Sequence, residues 1–234
     1  MTKVIIGIQA RSTSERLPGK SQMRISGRTL TDWVIKRCKG SASYINNSKK
    51  SDLRAEVVLL VPEGDPLKEV HEESITVLTG PEHDVLSRYM SLYKYADPDY
   101  VVRITGDCPL IPHFLITKHI VSAANYKYDY VSNADEEFRT HPDGWDCEVI
   151  SRRLMHWLHV NAVTPPHREH VTSLIKERRP DWSRVANVVG YVDSSQLKIS
   201  VDTEEDLEFV RMYQEILERK IKRAQEKGDG FFRL

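Results

Sequence analysis

The chain of 234 residues is 40% apolar and 29% charged, ordinary for a globular protein and long enough to bury one large core. Its 34 basic residues balance 34 acidic ones, which excludes a global field that gathers nucleic acid and leaves phosphate recognition to local clusters. Scattered Cys38, Cys108 and Cys147, no stretch of membrane-spanning length and an opening too short for a signal peptide argue against a disulfide framework, a zinc ribbon or a membrane protein, so a cytoplasmic location is expected.

Val4-Ile5-Ile6-Gly7-Ile8 is short and rich in Ile and Val, which predicts a buried parallel strand. The run breaks at Gln9-Ala10-Arg11 into a loop that also carries Arg16 and Lys20, and Pro18-Gly19 sets a turn that folds the last cation back beside the first. Polar loops at the carboxyl ends of such strands are where open α/β sheets bind ligands. Arginine forks phosphate oxygens and lysine is a compact point charge, so the mixture suits a triphosphate; a solvated basic turn is the alternative. Gly19-Lys20-Ser21 has the tail of a P-loop, but that motif needs glycine where Ser14 stands. It also runs directly into a helix, whereas Gln22 to Gly27 alternates and turns like a hairpin.

Gln9-Ala10-Arg11 followed by Arg16-Leu17-Pro18-Gly19-Lys20 resembles the N-terminal signature of the cytidylyltransferases that activate sugar acids, most closely the SpsF-like branch. Those relatives usually have glycine in place of Thr13.

Thr29 to Cys38 has helical spacing, and the polar, lysine-rich stretch from Gly40 to Asp52 is expected to be a mobile surface loop. Ala55 to Pro62 predicts a strand, Pro66 to Glu73 a helix and Ile75 to Leu78 a strand, an alternation that implies a largely parallel sheet. After Thr79-Gly80, Asp84 opens a helix on which Val85, Leu86 and Tyr89 pack. Either Asp84 serves the helix end or it contacts a nucleotide, and relatives carry a similar Gly-x-x-x-Asp-Val-Leu-x-Arg-Tyr here. The strand Tyr100 to Thr105 delivers Gly106-Asp107, leaving a carboxylate at a sheet edge where magnesium could bridge it to phosphate oxygens; capping the helix near His113 is its other reading. The resemblance, through Gly-Asp-x-Pro-Leu-Ile, implies the magnesium ligand.

Phe114 to Asn125 reads as a helix, Tyr128 to Ser132 as a strand, and Asn133 to Glu148 as a long irregular loop of the functional kind. Asp143, Asp146 and Glu148 alternate, so they are expected to project to one side and meet sugar hydroxyls. Relatives share Pro-Asp-Gly-x-Asp-x-Glu and the later Arg168-Glu169-His170-Val171-Thr172, which implies an acceptor pocket. Zinc is the rival, since His156 with His159 and His167 with His170 are one turn apart, yet no cysteine accompanies them and Pro165-Pro166 separates the pairs. Arg184 to Val192 and Lys198 to Val201 look strand-like, and Thr203 with Asp206 forms a capping box that frees Asp202 to share magnesium with Asp107. The last helix is expected to reach Lys227 and stop at Gly228, with its polar part from Arg219 protruding or meeting a partner subunit, and Phe231-Phe232 exposed unless a neighbour covers them.

The residues alone give a triphosphate-binding α/β domain with two candidate metal carboxylates. The resemblance implies a three-layer α/β/α sandwich of the Rossmann-like nucleotide-diphospho-sugar transferase type. Its mixed sheet would be mainly parallel with one reversed strand, in a single domain over 1–234 whose 133–182 stretch is the small acceptor lobe and dimerisation insertion of a homodimer. It implies transfer of CMP from CTP to an anionic acceptor such as an acidic sugar, with magnesium on Asp107 and Asp202. Arg11, Lys20, Asp107 and Asp202 would be catalytic. Gln9, Ala10, Arg16, Thr79, Asp84 and Gly106 would complete the nucleotide contacts, and Asp143, Asp146, Glu148, Arg168, Glu169 and His170 would bind the acceptor. A sugar-nucleotide glycosyltransferase and a non-catalytic nucleotide sensor are the other classes the sequence leaves open.

Overall fold

A computed structural model describes residues 1–49 and 51–226. The strands are β1 (Thr2–Gln9), β2 (Arg24–Ile25), β3 (Arg28–Thr29), β4 (Leu53–Pro62), β5 (Thr76–Gly80), β6 (Tyr100–Thr105), β7 (Tyr130–Ser132), β8 (Glu148–Ser151) and β9 (Val185–Asn187). Seven of them form one sheet in the order β5-β4-β1-β6-β8-β7-β9, and β2 with β3 makes a separate hairpin after Lys20, as the alternation of Gln22 to Gly27 implies. All neighbours in the large sheet run parallel except β8, which is antiparallel to both β6 and β7. The expected mainly parallel sheet with one reversed strand is therefore present.

The helices are α1 (Leu30–Asn47), α2 (Leu67–His71), α3 (Val85–Tyr95), α4 (His113–Tyr126), α5 (Arg152–Asn161), α6 (Pro165–His170), α7 (Ser173–Glu177) and α8 (Glu204–Glu226). Strand side chains alternate, so Val4, Ile6 and Ile8 of β1 join Leu59, Val102, Ile104 and Val149 in one core with α1 and α4. Ile5 joins Leu60, Val101 and Ile150 on the other face with Leu86 and Tyr89 of α3 and Leu154 of α5. Each fully buried Val, Leu or Ile contributes roughly 1.5–3 kcal/mol, which is why the opening apolar run becomes an interior strand of the sheet. A third cluster packs Leu207 and Val210 of α8 on Leu17, Ile25, Trp33, Leu110 and Val201.

Toward the carboxyl edge the second face changes character. Ile5 gives way to Gly7 and Gln9, Val101 to Arg103 and Thr105, and along reversed β8 Ile150 gives way to Glu148. That polar border is where the cavities lie.

Gly40 to Asn47 of the expected loop is instead the second half of α1. Ser41, Ala42 and Ile45 are buried, Ser41 Oγ meets Thr117 Oγ1 of α4 at 2.9 Å, and Asn46 brackets the backbone of Ala55 at 2.9 Å on both sides. The lysines that suggested a loop fall after the helix ends. Lys198 to Val201 is not a strand; it makes only an isolated bridge, Asp143 to Lys198. Strand pairing in Arg184 to Val192 stops at Asn187, because β9 is an edge strand and Val189, Tyr191 and Val192 find no further neighbour and stay exposed. The stretch 133–182 contributes β8 to the sheet itself and α5 to α7 to its flank. Gly228 and Phe231-Phe232 lie outside the described residues, as does Lys227. Among the described residues no helix is long and apolar enough to cross a membrane.

Candidate active site

The loop after β1 is pinned from behind so that its cations face forward. Ser12 donates from its backbone N and its hydroxyl to Asp65 Oδ2 at 2.8 and 3.1 Å, Leu17 is buried, and Gly19 takes φ +71° to close the turn through Gly19 N to Ser12 O at 3.3 Å. Gly106 lets the end of β6 press on the end of β1, since a Cβ there would stand 2.9 Å from Ala10 Cβ. Arg11, Arg16 and Lys20 consequently line one cleft of about 670 Å³ with Gln9, Ala10, Gly106, Asp107, Asp202, Glu169 and His170.

Lys20 is the node of that cleft. Its Nζ lies 3.0 Å from Asp202 Oδ1, 3.4 Å from Asp107 Oδ2 and 2.7 Å from the Val201 carbonyl, while Arg16 Nη2 reaches Asp202 at 2.8 Å. Val201 N donates to Asp107 O at 2.9 Å, which locks the two acid-bearing segments side by side. Thr203 and Asp206 cap α8 reciprocally at 2.9 and 3.2 Å, so Asp202 is spared that duty. Burial pushes the Asp202 carboxyl up, but the hydrogen bond and charge of Lys20, with Arg16 and Lys198, outweigh it and hold it below the usual carboxylate range. Asp107 does not cap the next helix, whose N-cap is Pro112.

Two carboxylates sharing one ammonium form an oxygen-only donor pair. Among the described residues no group of three or more His, Cys, Asp and Glu is placed to hold a metal ion. A divalent cation at Asp107 and Asp202 would complete its shell with ligand phosphate and water oxygens, the habit of magnesium. The oxygen-only donor set suits a hard divalent cation. One histidine of each pair is otherwise engaged: His156 packs on Tyr93 with centroids 5.1 Å apart, and His167 Nε2 meets Glu177 at 2.9 Å.

A second cavity of about 300 Å³ adjoins the first and shares Arg103 and His170 with it. Asp146 and Glu148 line it, each matched by an arginine: Arg139 forks Asp146 at 2.8 and 3.1 Å, and Arg103 pairs with Glu148. Burial pushes the Asp146 carboxyl up. Asp143 faces elsewhere, accepting from Ser200 Oγ at 3.1 Å. Arg168 forks Asp84 at 3.0 and 2.6 Å, and Asp84 also caps α3 through Ser87 N at 2.9 Å, so these two tie α6 to α3. Thr79 is exposed on β5 and, like Asp84, is not among the lining residues of either cavity.

Sequence reasoning passed over two cleft arginines. Arg88 is 3% exposed; its guanidinium reaches only the carbonyls of Leu60 and Glu82, both at 3.3 Å, and its Nε has no partner. No carboxylate forms an ion pair with it, although the charges of Glu82 and Asp65 act on it from farther away, and a buried cation held only by carbonyls is costly. Its signal was there, an arginine on the buried 85, 88, 89, 92 face of a helix. Arg103 likewise interrupts the apolar strand Tyr100 to Ile104.

The profile of the family described as Cytidylyltransferase matches residues 4–227. The spore coat polysaccharide biosynthesis protein SpsF of Bacillus subtilis is 29% identical over 229 residues, covering 94% of this chain and 90% of that protein. A 3-deoxy-manno-octulosonate cytidylyltransferase of Tolumonas auensis is 29% identical over 126 residues, 52% of this chain and 45% of that one. Among solved structures, a cytidylyltransferase from Leptospira borgpetersenii is similar with a TM-score of 0.78 at 27% identity, covering 90% of this chain and 86% of that one.

Proposed function

The chain belongs to the cytidylyltransferase family, and from that premise we propose that it transfers CMP from CTP to an acidic sugar, releasing pyrophosphate, to supply activated sugar for a surface polysaccharide. The observation that carries this reading is Lys20, which stands between Asp107 and Asp202 in a cleft that also holds Arg11 and Arg16.

The acceptor hydroxyl oxygen attacks the α-phosphorus in line, the bond to the bridging oxygen of pyrophosphate breaks, and the hydroxyl proton passes to solvent. Arg11, Arg16 and Lys20 grip the leaving phosphates, and preorganised cations of this kind act most strongly where charge develops. Asp107 and Asp202 would hold magnesium, which would supply neutralisation of the transferred phosphoryl group. Gln9, Ala10 and Gly106 shape the floor under the nucleotide, and Arg88 offers its buried donors to it. Asp146, Glu148, Glu169 and His170 face the acceptor. The residues 133–182 serve as the acceptor-binding insertion, and exposed Phe138, Val160, Val163 and Trp182 there support a homodimer contact that sedimentation would test. Free thiols at Cys38, Cys108 and Cys147 support a cytoplasmic location.

A matrix of nucleoside triphosphates against sugar acids, read by pyrophosphate release with magnesium, tests the reading. Release with CTP and one or more sugar acids is expected. Consumption of a sugar nucleotide instead would make the protein a glycosyltransferase, tight CTP binding without turnover would make it a sensor, and silence across the matrix overturns the assignment.

A further inference from the structure

Arg103 stands where the two cavities meet. It lies directly opposite Glu148 across the antiparallel pairing of β6 with β8, on the sheet face that also carries Gln9. Its Nε donates to Gln9 Oε1 at 3.1 Å and its Nη1 to Glu148 Oε2, while the Tyr130 hydroxyl donates to Glu148 Oε1. A guanidinium is a rigid planar fork, so holding two of its three nitrogens fixes the direction of the third. That third nitrogen, Nη2, makes no hydrogen bond among the described residues and is not sealed from solvent. The Glu148 side chain is 3% exposed and that of Arg103 15%. A pair this buried loses in desolvation about what it gains in attraction, so its lasting consequence is orientation.

Charge accounting in the second cavity leads to the same nitrogen. Asp146 is neutralised by Arg139 and Glu148 by Arg103, which leaves Glu136, exposed to solvent, as the one lining acid without an ion pair among the described residues. The cationic donors not already committed to a carboxylate are Arg103 Nη2 and Lys176, whose Nζ reaches only the Ala134 carbonyl at 3.1 Å. Lys176 is on the exposed rim, whereas Arg103 lies at the seam.

We propose that Arg103 is the acceptor-specificity residue of this enzyme: its Nη2 takes the carboxylate of the sugar acid at the seam and so presents the neighbouring hydroxyl to the nucleotide cleft, with Glu148, Tyr130 and Gln9 as positioning residues that aim it. The inference rests on the proposed cytidylyl transfer and assigns the group that selects its second substrate. CTP is held elsewhere, by the loop cations, so the two substrates respond differently to the same substitution.

The test uses full-length protein and the sugar acid that releases pyrophosphate fastest in the matrix, beside the same sugar with its carboxylate reduced to an alcohol. Arg103→Gln is expected to raise KM for the acid about 10- to 100-fold, the size of one charge-assisted hydrogen bond, with the Kd for CTP within threefold of wild type. Preference for the acid over the alcohol should collapse with it. Arg103→Lys, which keeps the charge but not the fork, should fall between. Glu148→Gln should raise KM for the acid several-fold with kcat retained, a split that loss of folded protein does not produce. An unchanged KM and unchanged preference in Arg103→Gln, or a CTP affinity that falls in step with KM, overturns the assignment. Should Arg103→Gln not fold, Arg103→Lys decides on the same criteria. Wild-type protein silent toward every acid sinks the proposed function; active wild type with an indifferent Arg103 sinks only this inference.

Discussion

The two cavities are built by opposite means. In the first, which we propose as the phosphate half, three cations come from ten consecutive residues and two of them are open, with the Arg11 side chain 39% and that of Arg16 69% exposed. In the second, the proposed acceptor half, the charges come from separated segments, and the acids Asp146 and Glu148 are neutralised before any ligand arrives. A ligand carrying several negative charges can organise loosely held cations for itself. One with a single charge depends on donors the protein has already aimed. Substitutions in the first half should therefore strike rate, and those in the second stability and selectivity.

The largest effect expected is on rate. Lys20→Ala or Asp107→Asn should lower pyrophosphate release on the order of 10³-fold, and Asp107→Asn, at a side chain 29% exposed, should shift unfolding in urea by at most about 1 kcal/mol. A loss under tenfold would move the chemistry out of the phosphate half.

Glu148→Ala reverses that pattern. It strands Arg103 and the Tyr130 hydroxyl and should cost about 3–5 kcal/mol in urea denaturation. A cost near zero would show that the acceptor half is not preorganised.

Arg168→Ala sharpens the boundary between the halves. It leaves Asp84 with its Ser87 bonds alone and should cost about 1–3 kcal/mol, with CTP affinity, followed by calorimetry, changed less than threefold. A large loss of CTP affinity would put Arg168 in the nucleotide site.

Acid should unfold both halves through the same linkage. Burial raises the carboxyls of Glu148, Asp84, Asp129 and Asp202, yet Arg103, Arg168, Arg153 and Lys20 respectively bring each below its ordinary value. A depressed carboxyl stabilises the fold fully above its unfolded pKa of about 4 and loses that stabilisation as pH falls through the folded value. Melting temperature should thus hold near neutrality and drop below about pH 4, and Asp129→Asn should flatten that limb.

The smallest effect belongs to Thr13, whose hydroxyl donates to Glu82 at 2.5 Å on the exposed side of the loop. Thr13→Gly should leave KM for CTP within about threefold; a larger change would make the Thr13 to Glu82 contact part of the phosphate seat.

The cationic loop was legible in the chain because its geometry is local. Leu17 anchors, Pro18-Gly19 turns, and the cations between them have few other places to go. The capping box of Thr203 with Asp206 spans four residues and released Asp202 for the same reason. By contrast, α1 past Gly40 looked like loop because what holds it there is Thr117 on another helix and the backbone of Ala55. Arg103 looked like an ordinary strand residue until β8 was inserted in reverse beside β6 and brought Glu148 opposite it.

The sequence by itself determined the alternation of strands and helices, the cationic loop and the two aspartates at strand or segment ends. Only the tertiary structure decided that Lys20 joins those aspartates across 87 and 182 residues, and that the reversed strand aims one arginine at the seam. Turns and caps are fixed by neighbours a few bonds away, whereas the partner of a charge is fixed by sheet order, which depends on the free energy of the whole core.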